Sequence, residues 1–205
     1  QAEVGIRDVE RSRGLGDVYK RQVTAADRGK GVDRERDYDD IDGLLTDEPG
    51  LLLCTQYADC VPLFFADPVR RVVGTSHSGW KGTVAEIGRV TVERMAADYG
   101  CHREDIRAAI GPSIGPCCFE VDAPVYEAFA AMPTFDESCV RRRAGGKFDL
   151  DLWEVNRRIL LAAGLRPDNI AVTDLCTRCR PDVFWSHRAT GGQRGSLAAF
   201  IGLAD

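Results

Sequence analysis

An α+β fold, a single domain with a mixed β-sheet core and helices packed outside, is predicted from three observations on this 205-residue chain. Short β-rich apolar runs alternate with segments whose apolar residues recur at helical spacing. The connections lack the regular strand-helix alternation of a doubly wound fold, and no segment repeats. A hydrophobic content of 44% supplies enough apolar material for one sizeable core.

Taken in order, residues 1–42 are polar, rich in Arg, Asp and Gly and without sustained periodicity, so they read as poorly structured and the fold is expected to begin near Ile41. Strands are predicted at Leu51 to Gln56, Val61 to Ala66, Val72 to His77 and Ile106 to Ile110, each a compact run bounded by turn-forming residues. Thr83 and Glu86 have the spacing of a capping box, which predicts a helix from Thr83 to Tyr99 with Val84, Ile87, Thr91 and Met95 on one face and Gly100 as its stop. A second helix is expected over Ala123 to Ala131. Pro133 to Gly146 reads as a surface loop, with Arg141, Arg142 and Arg143 as a solvated face. Asp151 caps a further helix on which Leu152, Val155, Ile159 and Ala163 align, and Gly164 ends it. Strands at Asn169 to Thr173 and Ser196 to Ile201 complete the reading.

The most informative local pattern pairs Tyr57-Ala58-Asp59-Cys60-Val61-Pro62 with Ser76-His77-Ser78-Gly79-Trp80-Lys81-Gly82. Cys60 and His77 stand at the ends of neighbouring predicted strands, where they can meet. A thiolate and a neutral imidazole are donors that zinc or copper prefers. The same two groups also make an activated nucleophile and its base. The residues alone leave both readings open, beside the plainer one of a buried cysteine and a strand-end histidine. The helix expected after Gly82 would direct free amide hydrogens towards this place and favour an anion.

Other features narrow the function classes. A net charge of -5 gives no reason to expect nucleic acid or an anionic membrane as partner, and no apolar run approaches the length of a membrane span, so a soluble protein with a small-molecule substrate is expected. Eight cysteines in a core-rich chain without a secretory signal point to reduced thiols and a cytoplasmic setting. Cys176 and Cys179 have the gap of a redox or zinc pair, but no second such pair and no thioredoxin-like context accompany them. Cys117 and Cys118 follow two Gly-Pro pairs in a tightly bent loop. Arg188 and Arg194, with Thr190 and three glycines between them and Ser196, suit phosphate or ribose oxygens. His102, directly after a helix-ending Gly and Cys101, reads as exposed.

Together, Ala58-Asp59-Cys60-Val61-Pro62, His77-Ser78-Gly79-Trp80-Lys81-Gly82, the run from Ile110 to Val121, Asp149-Leu150, Cys176-Thr177 and the segment from Phe184 to Arg194 resemble the laccase-domain, or polyphenol oxidase, family, whose members are regarded as purine nucleoside phosphorylases. The resemblance runs in order over about residues 42–203. It implies a layered α/β/β/α domain and a zinc held by one Cys and two His, of which Cys60 and His77 match two, as metal ligands and catalytic residues. It further implies phosphorolysis of inosine, guanosine, adenosine and methylthioadenosine, deamination of adenosine, and purine nucleoside and phosphate as partners. On this reading Lys81, Arg188 and Arg194 bind phosphate or ribose. Copper-dependent phenol oxidation is the family's older attribution; multicopper clusters need many histidines, and this chain has three.

The departure lies at the start of the chain. The family's third ligand sits in a Gln-Val-His-Gly motif that this sequence lacks. Gln22-Val23-Thr24-Ala25 either stands for it, with Thr24 replacing the histidine, or belongs to the stretch that follows it, which is the reading we favour. Residues 1–22 match nothing in the family and read as a disordered or artefactual segment, leaving 23–205 as a single domain without the family's first strands. A metal-free Cys60/His77 hydrolase and an inactive remnant therefore stand as alternatives to the zinc enzyme. The sequence leaves monomer or dimer open.

Overall fold

The computed structural model describes residues 2–6, 20–28, 30, 35 and 41–204. Twelve strands and five α-helices follow along these residues. The strands are β1 (Ala2–Ile6), β2 (Lys20–Gln22), β3 (Gly43–Thr46), β4 (Leu51–Tyr57), β5 (Val61–Asp67), β6 (Val72–Ser78), β7 (Arg107–Ile110), β8 (Glu120–Val121), β9 (Val140–Arg142), β10 (Phe148–Leu150), β11 (Ile170–Val172) and β12 (Leu197–Gly202). The helices are α1 (Trp80–Val84), α2 (Ile87–Tyr99), α3 (Ala123–Ala130), α4 (Leu152–Ala162) and α5 (His187–Thr190).

The main sheet has six strands in the order β11-β7-β5-β6-β3-β2. It is mixed: β5 pairs antiparallel with both β6 and β7, whereas β2-β3 and β7-β11 are parallel. A three-stranded sheet, β1-β4-β12, and a small one, β8-β10-β9, complete the strand pairing. The expected α+β class with a mixed sheet is therefore what forms.

Side-chain alternation explains how the layers stack. Leu45, Leu63, Phe65 and Val72 point to one side of the main sheet and join Ile87, Val92 and Met95 of α2 and Val155 and Ile159 of α4. Leu44 and Val73 point to the other side and meet Leu51 and Leu53 of β4. Each such buried aliphatic side chain contributes about 2 kcal/mol. At the ends nearest His77 the filling between sheets turns polar: Thr55 Oγ1 lies 3.2 Å from Thr75 Oγ1, and Tyr57 OH donates to Ser76 O at 3.2 Å.

Asp151 caps α4 as the sequence predicts, its Oδ1 accepting from the amides of Trp153 and Glu154 at 3.0 Å. Gly100 ends α2 in the left-handed region, φ 67°. Three expectations need correction. The helix predicted from Thr83 to Tyr99 is two helices, because Glu86 adopts φ 51° and breaks the run. Thr83 is no cap: its hydroxyl donates to Gly79 O at 3.0 Å and contacts Ser78 Oγ at 2.9 Å, while Glu86 accepts from Arg89 and Thr134. Second, the 133–146 stretch contains β9, paired antiparallel to β10 with Arg141 opposite Asp149. Arg141 and Arg143 both bind the buried Asp149, at 2.6 Å each, so they are a structural ion-pair set rather than a merely solvated face. Third, the stretch expected to lack structure before Ile41 contains β1, parallel to β4, and β2, parallel to β3. Both are edge strands, only five and three residues long, and runs that short leave little trace in the hydrophobic pattern. The rest of the segment at residues 7–19 lies outside the described residues.

Candidate active site and a second thiol cluster

Cys60 and His77 come together because of the sheet register. In the β5-β6 hairpin Val61 is opposite Ser78 and Pro62 opposite His77, so the two residues sit at one end of adjacent strands. Gly79 lies between them. A Cβ at Gly79 would stand 3.2 Å from Cys60 Sγ, 3.4 Å from His77 Cε1 and 3.7 Å from His77 Nε2. The missing side chain is thus the space that thiol and imidazole share. The His77 ring leans on Tyr57, centroids 5.5 Å apart, and its backbone N–H donates to Asp42 O at 2.8 Å.

A buried polar set fixes the turn after His77. Ser78 Oγ donates to Asn156 Oδ1 of α4 at 2.9 Å, and Asn156 Nδ2 donates to Leu152 O at 2.8 Å. Lys81 follows in the single turn of α1, with Nζ 5.7 Å from the Trp80 ring centre. The anion site expected at the start of a long helix is replaced by this five-residue helix, whose dipole is correspondingly small.

Asp59 is the group that sequence reasoning missed. It adopts φ 80°, a strained conformation for a non-glycine residue, and is buried. Its carboxylate accepts from Thr177 Oγ1 at 2.6 Å, Ser186 Oγ at 3.1 Å and the Arg188 backbone N–H at 2.6 Å, and its carbonyl accepts from Ile114 N at 2.9 Å. Three distant motifs are therefore tied to the residue preceding Cys60. The signal available beforehand was a lone acid inside an otherwise apolar motif.

The other candidates are placed as follows. Arg188 reaches the Cys60 neighbourhood through its backbone, while its guanidinium donates to Glu120 O at 3.1 Å and lies 5.7 Å from the Phe119 ring centre. Arg194 is in the segment entering β12, with Nη1 3.2 Å from Gly195 O. Thr24 does not replace a histidine. It follows β2, whose register with β3 and β6, carried on by two residues, puts it level with Val72, five residues and roughly 16 Å along the strand from His77. His102 and His187 are exposed.

A catalytic zinc takes three protein donors. Among the described residues Cys60 and His77 form no such group with a third Cys, His, Asp or Glu, so this pair does not complete a zinc site. Nor do the histidines gather as a copper cluster would require. The group of metal-ligating side chains that does assemble is Cys117, Cys118, Cys176 and Cys179, whose sulfur atoms all lie within 4.8 Å of one another. This corrects the reading of Cys176 and Cys179 as a pair without partners. Cys179 Sγ is 3.5 Å from both Cys117 Sγ and Cys118 Sγ, and all eight cysteines are free thiols. Burial pushes the Cys176 thiol up, but backbone N–H groups of Gly115 and Cys179 aimed at its sulfur outweigh burial and hold it below the ordinary thiol value. Burial first, then hydrogen bonding to Cys179, pushes the Cys117 and Cys118 thiols up.

Comparison with known proteins places these motifs. A family model described as multi-copper polyphenol oxidoreductase laccase matches residues 3–204. The chain belongs to this family. Purine nucleoside phosphorylase YlmD of Bacillus subtilis is 43% identical to this laccase-family chain over 188 residues, covering 90% of the chain and 66% of that relative. Adenosine deaminase RL5, from an unknown prokaryotic organism, is 38% identical over 164 residues, covering 80% of the chain and 62% of RL5. The hypothetical protein YfiH of Bacillus licheniformis, known from its crystal structure, superposes with a TM-score of 0.85 at 40% identity, covering 94% of this chain and 72% of that one. The laccase-family chain thus spans about two thirds of the length of its bacterial relatives, and the names of those relatives support an enzyme of purine metabolism. No helix among its described residues is long and apolar enough to cross a membrane.

Proposed function

We propose that this chain is a purine nucleoside phosphorylase acting where Cys60 and His77 meet, on inosine, guanosine, adenosine and methylthioadenosine, with adenosine deamination at the same place. The observation that carries the reading is the convergence of both side chains on the space above Gly79, with Asp59 drawing Thr177, Ser186 and Arg188 to the same edge. The names of the relatives supply the reaction class.

In phosphorolysis a phosphate oxygen bonds to the anomeric carbon of ribose as the bond to the purine nitrogen breaks. The purine leaves with the electron pair and takes up a proton. Negative charge must therefore be held on phosphate and met on the departing base. Lys81, four residues after His77 in α1, and Arg188, whose backbone N–H binds Asp59, are the cations assigned to phosphate, and Arg194 follows Arg188 in the same segment. His77, turned by Tyr57 and anchored through its backbone, holds or moves the proton at the base. A zinc, the cofactor proposed for the family's reaction, would supply a water of lowered pKa for deamination when bound; the two donors here do not complete its site, and no step is assigned to it.

The test is product analysis with inosine, with and without phosphate, on this chain and its Cys60→Ala variant. Phosphate-dependent hypoxanthine and ribose 1-phosphate that disappear in the variant are expected. Hypoxanthine release that ignores phosphate would sink the phosphorylase. The incomplete donor set favours one second reading, a Cys60 nucleophile activated by His77. That reading requires a thiol-alkylating reagent to abolish turnover while a chelator leaves it intact.

A further inference from the structure

We propose that Cys117, Cys118, Cys176 and Cys179 form a closed zinc tetrathiolate site, separate from the Cys60/His77 edge, that fastens the loop before β8 to the loop after β11. Four thiols within 4.8 Å of one another match a tetrahedron of sulfurs around zinc, whose edge is about 3.8 Å for a Zn–S bond of about 2.3 Å. The separations of 3.5 Å from Cys179 to Cys117 and Cys118 lie near that edge.

The sulfur environment is a second, independent observation. Gly115 N donates to Cys176 Sγ at 3.2 Å, and the Cys179 amide also points at that sulfur. Amide donors converging on one sulfur favour the thiolate that a metal needs. Gly115 is there because nothing larger fits: a Cβ would stand 2.6 Å from Trp153 and 3.2 Å from Cys176 Cβ. On binding, each ligating thiol gives its proton to solvent and the centre carries two net negative charges. The Arg188 guanidinium, held on Glu120 O, lies alongside and offsets part of that charge. Cys117 and Cys179 are exposed, which leaves the metal a way in.

The site sits where a clasp would act. Ser113 and Cys176 form a β-bridge, with Thr177 N donating to Ser113 O at 2.9 Å. The residues next to the clasp, Ile114 and Thr177, are those that hold Asp59 and through it Cys60. A metal here would therefore order the approach to the candidate active site without touching substrate.

The test uses the full chain in a Cys60→Ala background, which removes one donor from the other edge and leaves the four thiols intact. Zinc per chain is measured by elemental analysis after gel filtration under oxygen-free conditions, and cobalt is then substituted. About one zinc per chain is expected to remain, and the cobalt form should show thiolate-to-metal charge transfer with the visible bands of a tetrahedral all-sulfur centre. Cys179→Ser, at an exposed position where folding is spared, should weaken zinc roughly tenfold or more in competition with a chromophoric chelator. Loss of all zinc from Cys60→Ala, unchanged zinc affinity in Cys179→Ser, iron in place of zinc, or a disulfide within the cluster despite available zinc would each overturn the proposal.

Discussion

Two regions of this protein present sulfur to a neighbouring donor, and they differ in how many donors converge. At the Cys60/His77 edge a thiol and an imidazole face each other across a glycine, with two donors in reach of one point. At the other region four thiols close on one another with amides behind one of them. Open donor sets keep positions for substrate, whereas closed ones serve structure. The contrast teaches that the number of cysteines says little about chemistry until the number meeting at one point is known. Asp59 links the two regions, since its carboxylate holds Thr177, beside one clasp cysteine, and its backbone precedes Cys60.

The largest expected effect comes from breaking that link. Asp59→Ala leaves the Thr177 and Ser186 hydroxyls and the Arg188 amide without their acceptor in a buried place, and is predicted to lower unfolding free energy by about 3 kcal/mol or more and to abolish turnover. Urea unfolding checks it, and a variant within about 0.5 kcal/mol of the parent would mean the two regions are independent.

Gly79→Ala sharpens the contrast from the open side. Its backbone, φ -63° and ψ 173°, admits alanine, but the new methyl occupies the space between Cys60 and His77. Turnover should fall roughly tenfold or more while stability changes by under about 1 kcal/mol. Unaltered kinetics in a folded Gly79→Ala protein would move the active site elsewhere.

Asp149 tests what holds the loop beside the clasp, because it lines an open cleft of about 370 Å³ together with Cys117 and Arg141. Burial pushes its carboxyl up, but hydrogen bonds from Arg143 and Arg141 outweigh burial and hold it below the usual carboxylate range. A depressed folded-state pKa gives stability that is present above the unfolded value, about 3.9, and lost as pH falls through the folded one. Asp149→Asn should cost about 1–2 kcal/mol at neutral pH, and the gap from the parent should close as both are titrated below about pH 3.9. A gap that persists unchanged in acid would show that packing, not charge, is responsible.

The smallest effect is expected at Cys101. Burial, then a hydrogen bond with Asp67, pushes this thiol up to about 12, so it belongs to neither region. It should resist alkylation at pH 8, and Cys101→Ala should cost about 1 kcal/mol with kinetics intact. Mass spectrometry showing Cys101 labelled in the folded protein would contradict this.

Much of the fold was legible. The runs at β4, β5, β6 and β12 announced themselves through β-rich composition, and α4 through its Asp151 cap, because these signals arise within a few residues. The break at Glu86 was not legible: Thr83 and Glu86 have cap spacing, yet their side chains are engaged by Ser78, Gly79, Arg89 and Thr134. Nor were β1 and β2, edge strands of five and three residues held by ladder bonds to β4 and β3, too short to stand out in their sequence surroundings.

The candidate site divides in the same way. The sequence by itself determined the family, the α+β class and the nearness of Cys60 to His77, since a hairpin of adjacent strands brings residues close in the chain to matching ends. Only the tertiary structure decided that Asp59 is the knot, that Thr24 lies far from His77, and that Cys117 and Cys118 meet Cys176 and Cys179. Those contacts join residues separated by tens of positions, and their closeness depends on loop closure across packed layers, which no local pattern of side chains encodes.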